Sequence, residues 1–596
     1  MIRRPLRPLA RVLKARAQGE NPDAIERENL RQRLEEMRDN QRHRAEGRLL
    51  VMVVLFVCGF GIIGTRMAVL AGSSPVEPRA VGMQSHIVSD RADILDRNGR
   101  ILATNLDTYS LYAQTRDMIE PERAAHEVAR IFPDLDADAL AARFSRPNAF
   151  MWIKTRLSPE QMQAVHDIGE PGLMFGPREM RLYPNGALAA HVLGGARFGE
   201  QAVNSAEVKG VAGVELAFDN ALRDPANNGA PLVLSIDLTI QSAVEDVLEG
   251  GMKLLNAKGA AAVLMDVHTG ELVAMASLPD FDPNERPALL TQGDQADSPL
   301  FNRAVQGVYE LGSTYKIFTV AQAMELGLVN PGTMVDANAP MTWGRFTINE
   351  FRRKNYGPLL SVTDVIVKSS NVGTARLALQ IGGERQQEFF RALGLFDPLP
   401  VELAEAPHVR PLRPARWSDI VTITASYGHG IAASPLHLAA AYASLLNGGT
   451  RVAPTLMRRD APAEGPRLVS EHVSQSAATM LRAVVERGTA SFGEVAGYSV
   501  GGKTGTADKP KPGGGYYDDR VVATFASVFP SNDPRYVLVV TMDEPVETAG
   551  SAPRRTAGWT SVPVAAEIIR RTAPLLGLRP QVELGQATGV TLTSNH

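Results

Sequence analysis

The sequence of 596 residues lacks the features that define several large classes of protein. It contains one cysteine, Cys58, which excludes an internal disulfide and a cysteine-based zinc cluster. Its formal net charge is only −3, so it has no overall positive field for binding nucleic acid, and no motif for that purpose is present. We therefore expect no nucleic acid among its partners, and neither a metal nor another cofactor.

Long apolar runs are also scarce, and only one reaches membrane-spanning length. Residues 49–65 read LLVMVVLFVCGFGIIGT without a charge, and the apolar character resumes after Arg66 as far as residue 71. The preceding residues 1–48 are rich in arginine, which the positive-inside rule places in the cytoplasm. A cleaved signal peptide would have a far shorter basic segment and a prompt small-residue cleavage motif. We predict a protein of the bacterial inner membrane that crosses it once. Its tail over 1–48 is cytoplasmic, its transmembrane helix spans 49–71, and the rest of the chain is periplasmic.

The part of the chain that follows the apolar run divides into two regions with different sequence patterns. From about residue 84, short β-like runs alternate with turns and carry no catalytic signature, which predicts a β-rich binding module or pedestal over 72–230. Near Pro231 the pattern changes to a strand and an amphipathic helix, with Asp237 or Thr239 as the candidate cap. A chain of this length usually needs more than one hydrophobic core.

The second region, over 231–580, mixes helices with strands. Two apolar runs flank a turn at residues 268–270, which predicts an antiparallel hairpin. Three more strands are predicted near the end of this region, in GYSVGGKTGTA, RVVATFASVF and YVLVVTMDEP, and a helix follows them. Helices grouped around an antiparallel sheet define an α+β domain. Residues 581–596 are predicted to be a C-terminal tail.

The first candidate catalytic motif is Ser313-Thr314-Tyr315-Lys316, at the start of a segment with helical periodicity. Backbone N–H groups at a helix N-terminus stabilise negative charge on an attacked carbonyl oxygen. Side chains three residues apart share a helix face, so Lys316 can accept the proton of Ser313 if burial lowers the lysine pKa. Only eleven of the 62 basic residues are lysines, which makes a lysine here informative. Alone, however, Ser-x-x-Lys arises easily by chance.

Two further short motifs follow in the chain. The first, at Ser369-Ser370-Asn371, is typical of a helix N-cap and also offers a hydroxyl and an amide to a cleft. The second lies in a strand punctuated by glycine, where a ligand can approach the backbone closely. Its residues are Lys503, Thr504, Gly505 and Thr506.

The three motifs, in this order, resemble the Ser-x-x-Lys, Ser-x-Asn and Lys-Thr-Gly signature of penicillin-binding proteins and serine β-lactamases. The resemblance extends to flanking segments and, upstream, to the pedestal of class B penicillin-binding proteins, over about residues 85–572. The segments that carry it are NRAVQGVYELGSTYK, KSSNVGTA, GGKTGTA, SYGHGIAASPLHLAAAYASLLNGG, RADILDRNGRILATN, RLYPNGALAAHVLG and GVAGVELAFDNAL. One departure is Leu311, where many relatives carry proline.

The resemblance implies a peptidoglycan D,D-transpeptidase in which Ser313 attacks the penultimate D-Ala carbonyl of a stem pentapeptide and Lys316 is the general base. It implies that Ser369 relays a proton to the leaving amine and that Asn371 binds the donor amide. Lys503 supplies positive charge beside the site. The strand residues Thr504, Gly505 and Thr506 bind substrate, and the N–H groups of residues 313 and 506 form the oxyanion hole. β-Lactams acylate the same serine.

The resemblance also bears on the biological role and the partners. The segment VVATFASVFPSNDPRYVLVVTMDEP resembles division-specific members of class B, which implies septal wall synthesis, an FtsW-like glycan polymerase and other division proteins as partners. The alternatives are an elongation-specific transpeptidase, a carboxypeptidase or β-lactamase-type hydrolase, and a β-lactam sensor. We interpret His429 and His437 as structural, because no triad histidine is needed when lysine is the base.

Overall fold

The computed structural model describes residues 7–72, 91–147, 149–202, 205–511 and 513–581. The chain divides into two compact units, Met1–Val88 and Ser89–His596. Except for Gln581, the predicted C-terminal tail lies outside the described residues.

The first unit is helical where it is described. It contains α1 (Arg7–Ala17) and α2 (Asp23–Gly72), and the apolar segment predicted over 49–71 lies within α2. Several large apolar side chains of this segment, among them Phe56 and Ile62, are exposed. Over the part of the chain that the structure describes, no helix is both long enough and apolar enough to cross a membrane.

The second unit begins with a β-rich region, as predicted. Its central sheet has five strands in the order β3-β2-β1-β7, with β4 also paired to β2. Helices α3, α4 and α5 cover this sheet around a separate apolar core that includes Leu111, Val128 and Phe144. The elements are β1 (Ile94–Leu95), β2 (Ile101–Gln114), α3 (Pro121–Ile131), α4 (Ala137–Phe144), β3 (Phe150–Leu157), α5 (Pro159–His166), β4 (Leu173–Leu182), α6 (Ala190–Leu193), β5 (Gly195–Ala202), β6 (Ser205–Ala212), α7 (Gly213–Ala217), α8 (Asp219–Leu222) and β7 (Leu232–Val233).

A buried ion cluster joins three distant segments of this region. The Glu215 carboxylate is fully buried and accepts from Arg91 Nε and from Arg181 Nε, each at 2.7 Å. The hydroxyl of Tyr183 donates to the same carboxylate at 3.1 Å. Both arginines are also nearly inaccessible, so each charge depends on the others for compensation.

The remainder of the unit is an α+β domain built on a five-stranded antiparallel sheet in the order β14-β15-β16-β8-β9. The predicted hairpin and the three late strands are all present. The elements are α9 (Leu238–Leu254), β8 (Gly259–Asp266), β9 (Leu272–Leu278), α10 (Lys316–Glu325), β10 (Met334–Asp336), β11 (Met341–Trp343), β12 (Phe346–Ile348), β13 (Leu359–Ser361), α11 (Val362–Val367), α12 (Asn371–Ile381), α13 (Gly383–Ala392), α14 (Asp419–Ala425), α15 (Pro435–Leu446), α16 (Glu471–Arg487), β14 (Gly501–Pro510), β15 (Tyr516–Phe529), β16 (Tyr536–Asp543) and α17 (Ser561–Leu575).

Helices cover both faces of this sheet. Helices α9 and α17 pack on each other and on the sheet, and α15 packs on β8 and β16. Every residue of α15 and of β16 is buried, and both segments are accordingly made up mostly of apolar residues. The three candidate motifs lie at one edge of this layered core, on β14 and at the beginnings of α10 and α12.

The junction between the pedestal and this domain is polar. Asp237 caps α9 by accepting from the backbone N–H groups of Thr239 and Ile240, which confirms Asp237 and not Thr239 as the cap. The same carboxylate accepts from Asn98 Nδ2 at 2.8 Å and from Arg100 Nη2 at 2.9 Å. The hairpin turn between β1 and β2 is therefore held against the start of α9.

Candidate active site

Ser313 lies in a single 3₁₀ turn, Gly312–Tyr315, which leads directly into α10. This confirms the predicted position at the beginning of a helix. The serine side chain is partly exposed, whereas Lys316, the first residue of α10, is completely buried. The hydroxyl of Tyr442 donates to the carbonyl oxygen of Thr314 at 2.8 Å and so ties the turn to α15.

Three glycines let the Ser313 turn pack directly on neighbouring backbone. Gly312 has a φ of +57°, in the left-handed region that favours glycine. A Cβ at Gly428 would overlap the carbonyl oxygen of Gly312, and a Cβ at Gly505 would overlap that of Leu311. Gly505 thus faces the turn. Its predicted part in substrate binding stays a prediction.

The second motif forms a tight bend between α11 and α12. Ser370 is the N-cap of α12, and its Oγ accepts from the backbone N–H of Gly373, as predicted for a capping serine. Ser369 adopts a φ of +59°, which is uncommon for a residue with a side chain. The left-handed conformation is sparsely populated, and the surrounding structure must hold it in place.

A hydrogen-bond network joins all three motifs beneath the cleft. Lys316 Nζ donates to Asn371 Oδ1 at 2.7 Å, to the Ser369 carbonyl oxygen at 2.5 Å and to Ser369 Oγ at 3.1 Å. Lys503 Nζ donates to the same Ser369 Oγ at 2.9 Å and to the Thr504 carbonyl oxygen at 3.0 Å. The hydroxyl of Ser369 therefore lies between the two lysines.

Burial changes the proton affinity of both lysines. It lowers the pKa of Lys316 to about 7, although the nearby negative charge of Glu350 acts in the opposite direction. Burial and the charge of Lys316 together lower the pKa of Lys503 well below its usual range. Two ammonium groups this close repel each other, so protonation of one lysine disfavours protonation of the other. The pair therefore titrates as a coupled unit.

The third motif supplies one wall of the site from β14. Thr504 and Thr506 alternate with Gly505 along the strand, so their side chains point to the same face, toward the cleft. Thr504 Oγ1 lies 2.7 Å from Thr489 Oγ1, and Thr506 Oγ1 accepts from the backbone N–H of Ala557 at 3.1 Å. Both hydroxyls are thus fixed by neighbouring loops.

These elements enclose a cleft of about 430 Å³. It is lined by Ser313, Ser369, Asn371, Thr504 and Thr506, and Lys316 and Lys503 lie below it. The structure therefore brings the predicted nucleophile, base, relay and carboxylate-binding groups to one place. The arrangement suits acyl transfer through a serine ester, with a neutral lysine as the base.

Several residues of the site were not singled out from the sequence. Tyr427, Phe492 and Trp559 line the cleft, and Glu350 lies under the Ser370–Asn371 bend. None of them belongs to a short motif, but Tyr427 stands in the family-like segment SYGHG.

The two histidines interpreted as structural differ in position. His437 is buried between Ser434 and the carbonyl oxygen of Asp397, and burial lowers its pKa to about 4. His429 lies at the cleft, with its Nδ1 2.9 Å from Glu310 Oε2, and the hydrogen bond to that carboxylate raises its pKa. His429 thus has a place in the cleft wall.

Comparisons with known proteins identify the family to which the chain belongs. The family described as the penicillin-binding protein transpeptidase domain matches residues 260–569, and the penicillin-binding protein dimerisation domain matches residues 86–228. The chain belongs to the class B penicillin-binding proteins.

Several of the curated relatives it resembles are peptidoglycan D,D-transpeptidases by name. The probable peptidoglycan D,D-transpeptidase FtsI of Caulobacter vibrioides is 36% identical over 571 residues, which is 93% of each chain. The probable peptidoglycan D,D-transpeptidase PenA of Neisseria gonorrhoeae is 31% identical, over 90% of this chain and 94% of that one. The peptidoglycan D,D-transpeptidase FtsI of Escherichia coli is 27% identical, over 83% of this chain and 85% of that one.

Proposed function

We propose that this protein is a peptidoglycan D,D-transpeptidase that crosslinks stem peptides through an acyl-enzyme on Ser313 during septal wall synthesis. The observation that carries the proposal is the convergence of Ser313, Lys316, Ser369, Asn371 and Lys503 on one cleft. The names of the relatives, two of which are FtsI, support both the reaction and the septal role.

In the first half-reaction, Ser313 Oγ attacks the penultimate D-Ala carbonyl and gives its proton to neutral Lys316. The backbone N–H groups of residues 313 and 506 stabilise the oxyanion. The tetrahedral intermediate expels the terminal D-Ala, whose amine takes a proton by way of Ser369. Once Lys316 carries the proton taken from Ser313 it has three N–H donors and donates to Ser369 Oγ, as Lys503 also does. The proton of the Ser369 hydroxyl is then free to point into the cleft and pass to the amine, and Lys316 replaces it.

Binding and the second half-reaction use the remaining residues. Thr504 and Thr506 bind the donor carboxylate beside the charge of Lys503, and Asn371 binds the donor amide. An amine of a second stem peptide then attacks the ester, transfers a proton to the base and releases Ser313. β-Lactams acylate the same oxygen and leave an ester that water removes slowly.

Covalent labelling tests the nucleophile. Replacing Ser313 by alanine should abolish labelling by a fluorescent penicillin, and mass spectrometry of the labelled wild-type peptide should place the adduct on Ser313. Ser491→Ala is a matched control, because this serine also lines the cleft. Labelling that persists in S313A, or an adduct elsewhere, would remove Ser313 from its role.

The septal role has competitors inside and outside the family. Depletion of the protein should give filamentous cells, whereas rounded cells would favour the elongation-specific alternative. Rapid turnover of a fluorescent penicillin by the purified protein would favour a hydrolase. A β-lactam sensor would be acylated but would form no crosslinks from stem peptides.

We also propose the arrangement of the chain in the cell. The uncharged run over 49–65, whose described side chains are mostly exposed apolar groups, would anchor the protein in the inner membrane. The tail over 1–48 would be cytoplasmic, the pedestal over 72–230 and the transpeptidase domain over 231–580 periplasmic. An FtsW-like polymerase and other division proteins would be its partners.

A further inference from the structure

A buried carboxylate outside the three motifs holds the second motif in place. Glu350 follows β12 and is only 2% exposed. Its Oε2 accepts from the backbone N–H of Asn371 at 2.7 Å, and its Oε1 accepts from Ser370 Oγ at 2.5 Å and from the backbone N–H of Val372 at 3.2 Å. One side chain thus binds three consecutive residues at the positive end of α12.

The residue before it fixes the side chain of Asn371. The carbonyl oxygen of Asn349 accepts from Asn371 Nδ2 at 2.9 Å, which leaves Asn371 Oδ1 directed at Lys316 Nζ. The pair Asn349–Glu350 therefore sets both the backbone and the amide orientation of Asn371. The bend it holds contains Ser369, whose left-handed backbone needs such support.

We propose that Glu350 is a positioning residue for acyl transfer, which holds Ser369 and Asn371 in their reactive geometry and places a negative charge near the buried amine of Lys316. This inference rests on the proposed function, because it concerns the same reaction. Glu350 does not line the cleft, so it acts through the residues it binds.

The carboxylate has a second, electrostatic effect on the base. Its negative charge raises the pKa of Lys316 against the larger effect of burial. Glu350 also affects two tyrosines, Tyr356 and Tyr427: the pKa of each is raised, by burial first and by Glu350 second. Both phenols stay neutral in the physiological range. The titratable groups that remain are the Lys316 and Lys503 pair and, on the cleft wall, His429, which is paired with Glu310 and is the same in all the variants below.

The two effects predict a distinctive result for Glu350→Gln, measured as the second-order rate of acylation by a fluorescent penicillin against pH. The plateau rate should fall by roughly tenfold or more, because the amide cannot accept from both Ser370 and the Asn371 N–H, and small misplacements of reacting groups are costly. The acid limb, the low-pH part of the profile where the rate rises with pH, should move to lower pH. The reason is that loss of the negative charge lowers the pKa of Lys316.

Three comparisons make the experiment decisive. Glu350→Asp keeps the charge, so its acid limb should stay near that of the wild type while its plateau falls. Glu402→Gln is a matched control, because Glu402, like Glu350, accepts from a hydroxyl and from backbone N–H, here at Thr455 and Leu456, and does not line the cleft. It should change neither the plateau nor the limb. Thermal unfolding reports whether each variant is folded.

Each outcome has one meaning. A folded E350Q protein that acylates like the wild type, or one whose plateau falls with an unmoved acid limb, would overturn the proposal, the latter because a merely structural loss does not move the limb. If E350Q does not fold, the other two variants decide. A shifted acid limb in E350D, which keeps the charge, would overturn the proposal. A shifted acid limb in E402Q would also overturn it, because a carboxylate outside the second motif would then have the same effect. Failure of the wild type itself to acylate would refute the proposed function instead.

Discussion

The depressed pKa of the buried lysine gives a quantitative prediction for the pH dependence of acylation. Lys316 must be neutral to accept the Ser313 proton, and its pKa is lowered from 10.5 to about 7. With this lowered pKa, the fraction of Lys316 that is neutral rises as the pH rises through 7. About a tenth of the base is then neutral one unit below the pKa and about nine tenths one unit above it, roughly a tenfold gain in rate across two pH units.

The assay is the second-order acylation rate of the purified protein with a fluorescent penicillin, taken from about pH 5.5 to 9.5 in buffers of constant ionic strength. We expect a rise at low pH, a midpoint near the apparent pKa of the lysine pair and a plateau above it. A rate that keeps rising roughly tenfold per pH unit through pH 9 would mean that the base keeps an ordinary lysine pKa, and would refute the assignment. S313A corrects for non-covalent signal.

Two further predictions concern packing and the buried ion cluster. Glu215→Ala should lower the free energy of unfolding by about 3–5 kcal/mol in chemical denaturation, because it leaves Arg91 and Arg181 buried without their shared carboxylate; a loss below about 1 kcal/mol would contradict this account. Gly505→Ala should slow acylation by at least about tenfold in the same penicillin assay, because its Cβ would push the Ser313 turn away from β14; an unchanged rate would show that the turn can yield.

Local patterns in the sequence predicted the parts of this structure that depend on local interactions. The hairpin of β8 and β9, the late strands and the Asp237 cap follow from apolar periodicity and capping chemistry, which act over a few residues. The motif around Ser313 was persuasive only together with the two later motifs, and the structure brings all three together.

Long-range partners could not be predicted in this way. Glu350 stands 21 residues before Asn371 in a short loop, and Glu215 binds an arginine 124 residues away, so neither belongs to a periodic pattern. A lone acidic residue between two strands is, by sequence alone, an ordinary surface residue. The sequence alone led us to interpret His429 as a structural residue of a family-like segment. Only the folded chain shows that it lies at the cleft.

The contact of the Ser313 turn with Gly428 and Gly505 restricts how this protein can change over generations. The backbone of the turn lies so close to that of Gly428 and Gly505 that a side chain at either glycine would displace the nucleophile. Phe492 and Trp559 also line the cleft but are partly exposed, so a change at either of them meets no such backbone overlap. We therefore expect inherited substitutions to be tolerated at the exposed cleft wall more readily than at these glycines.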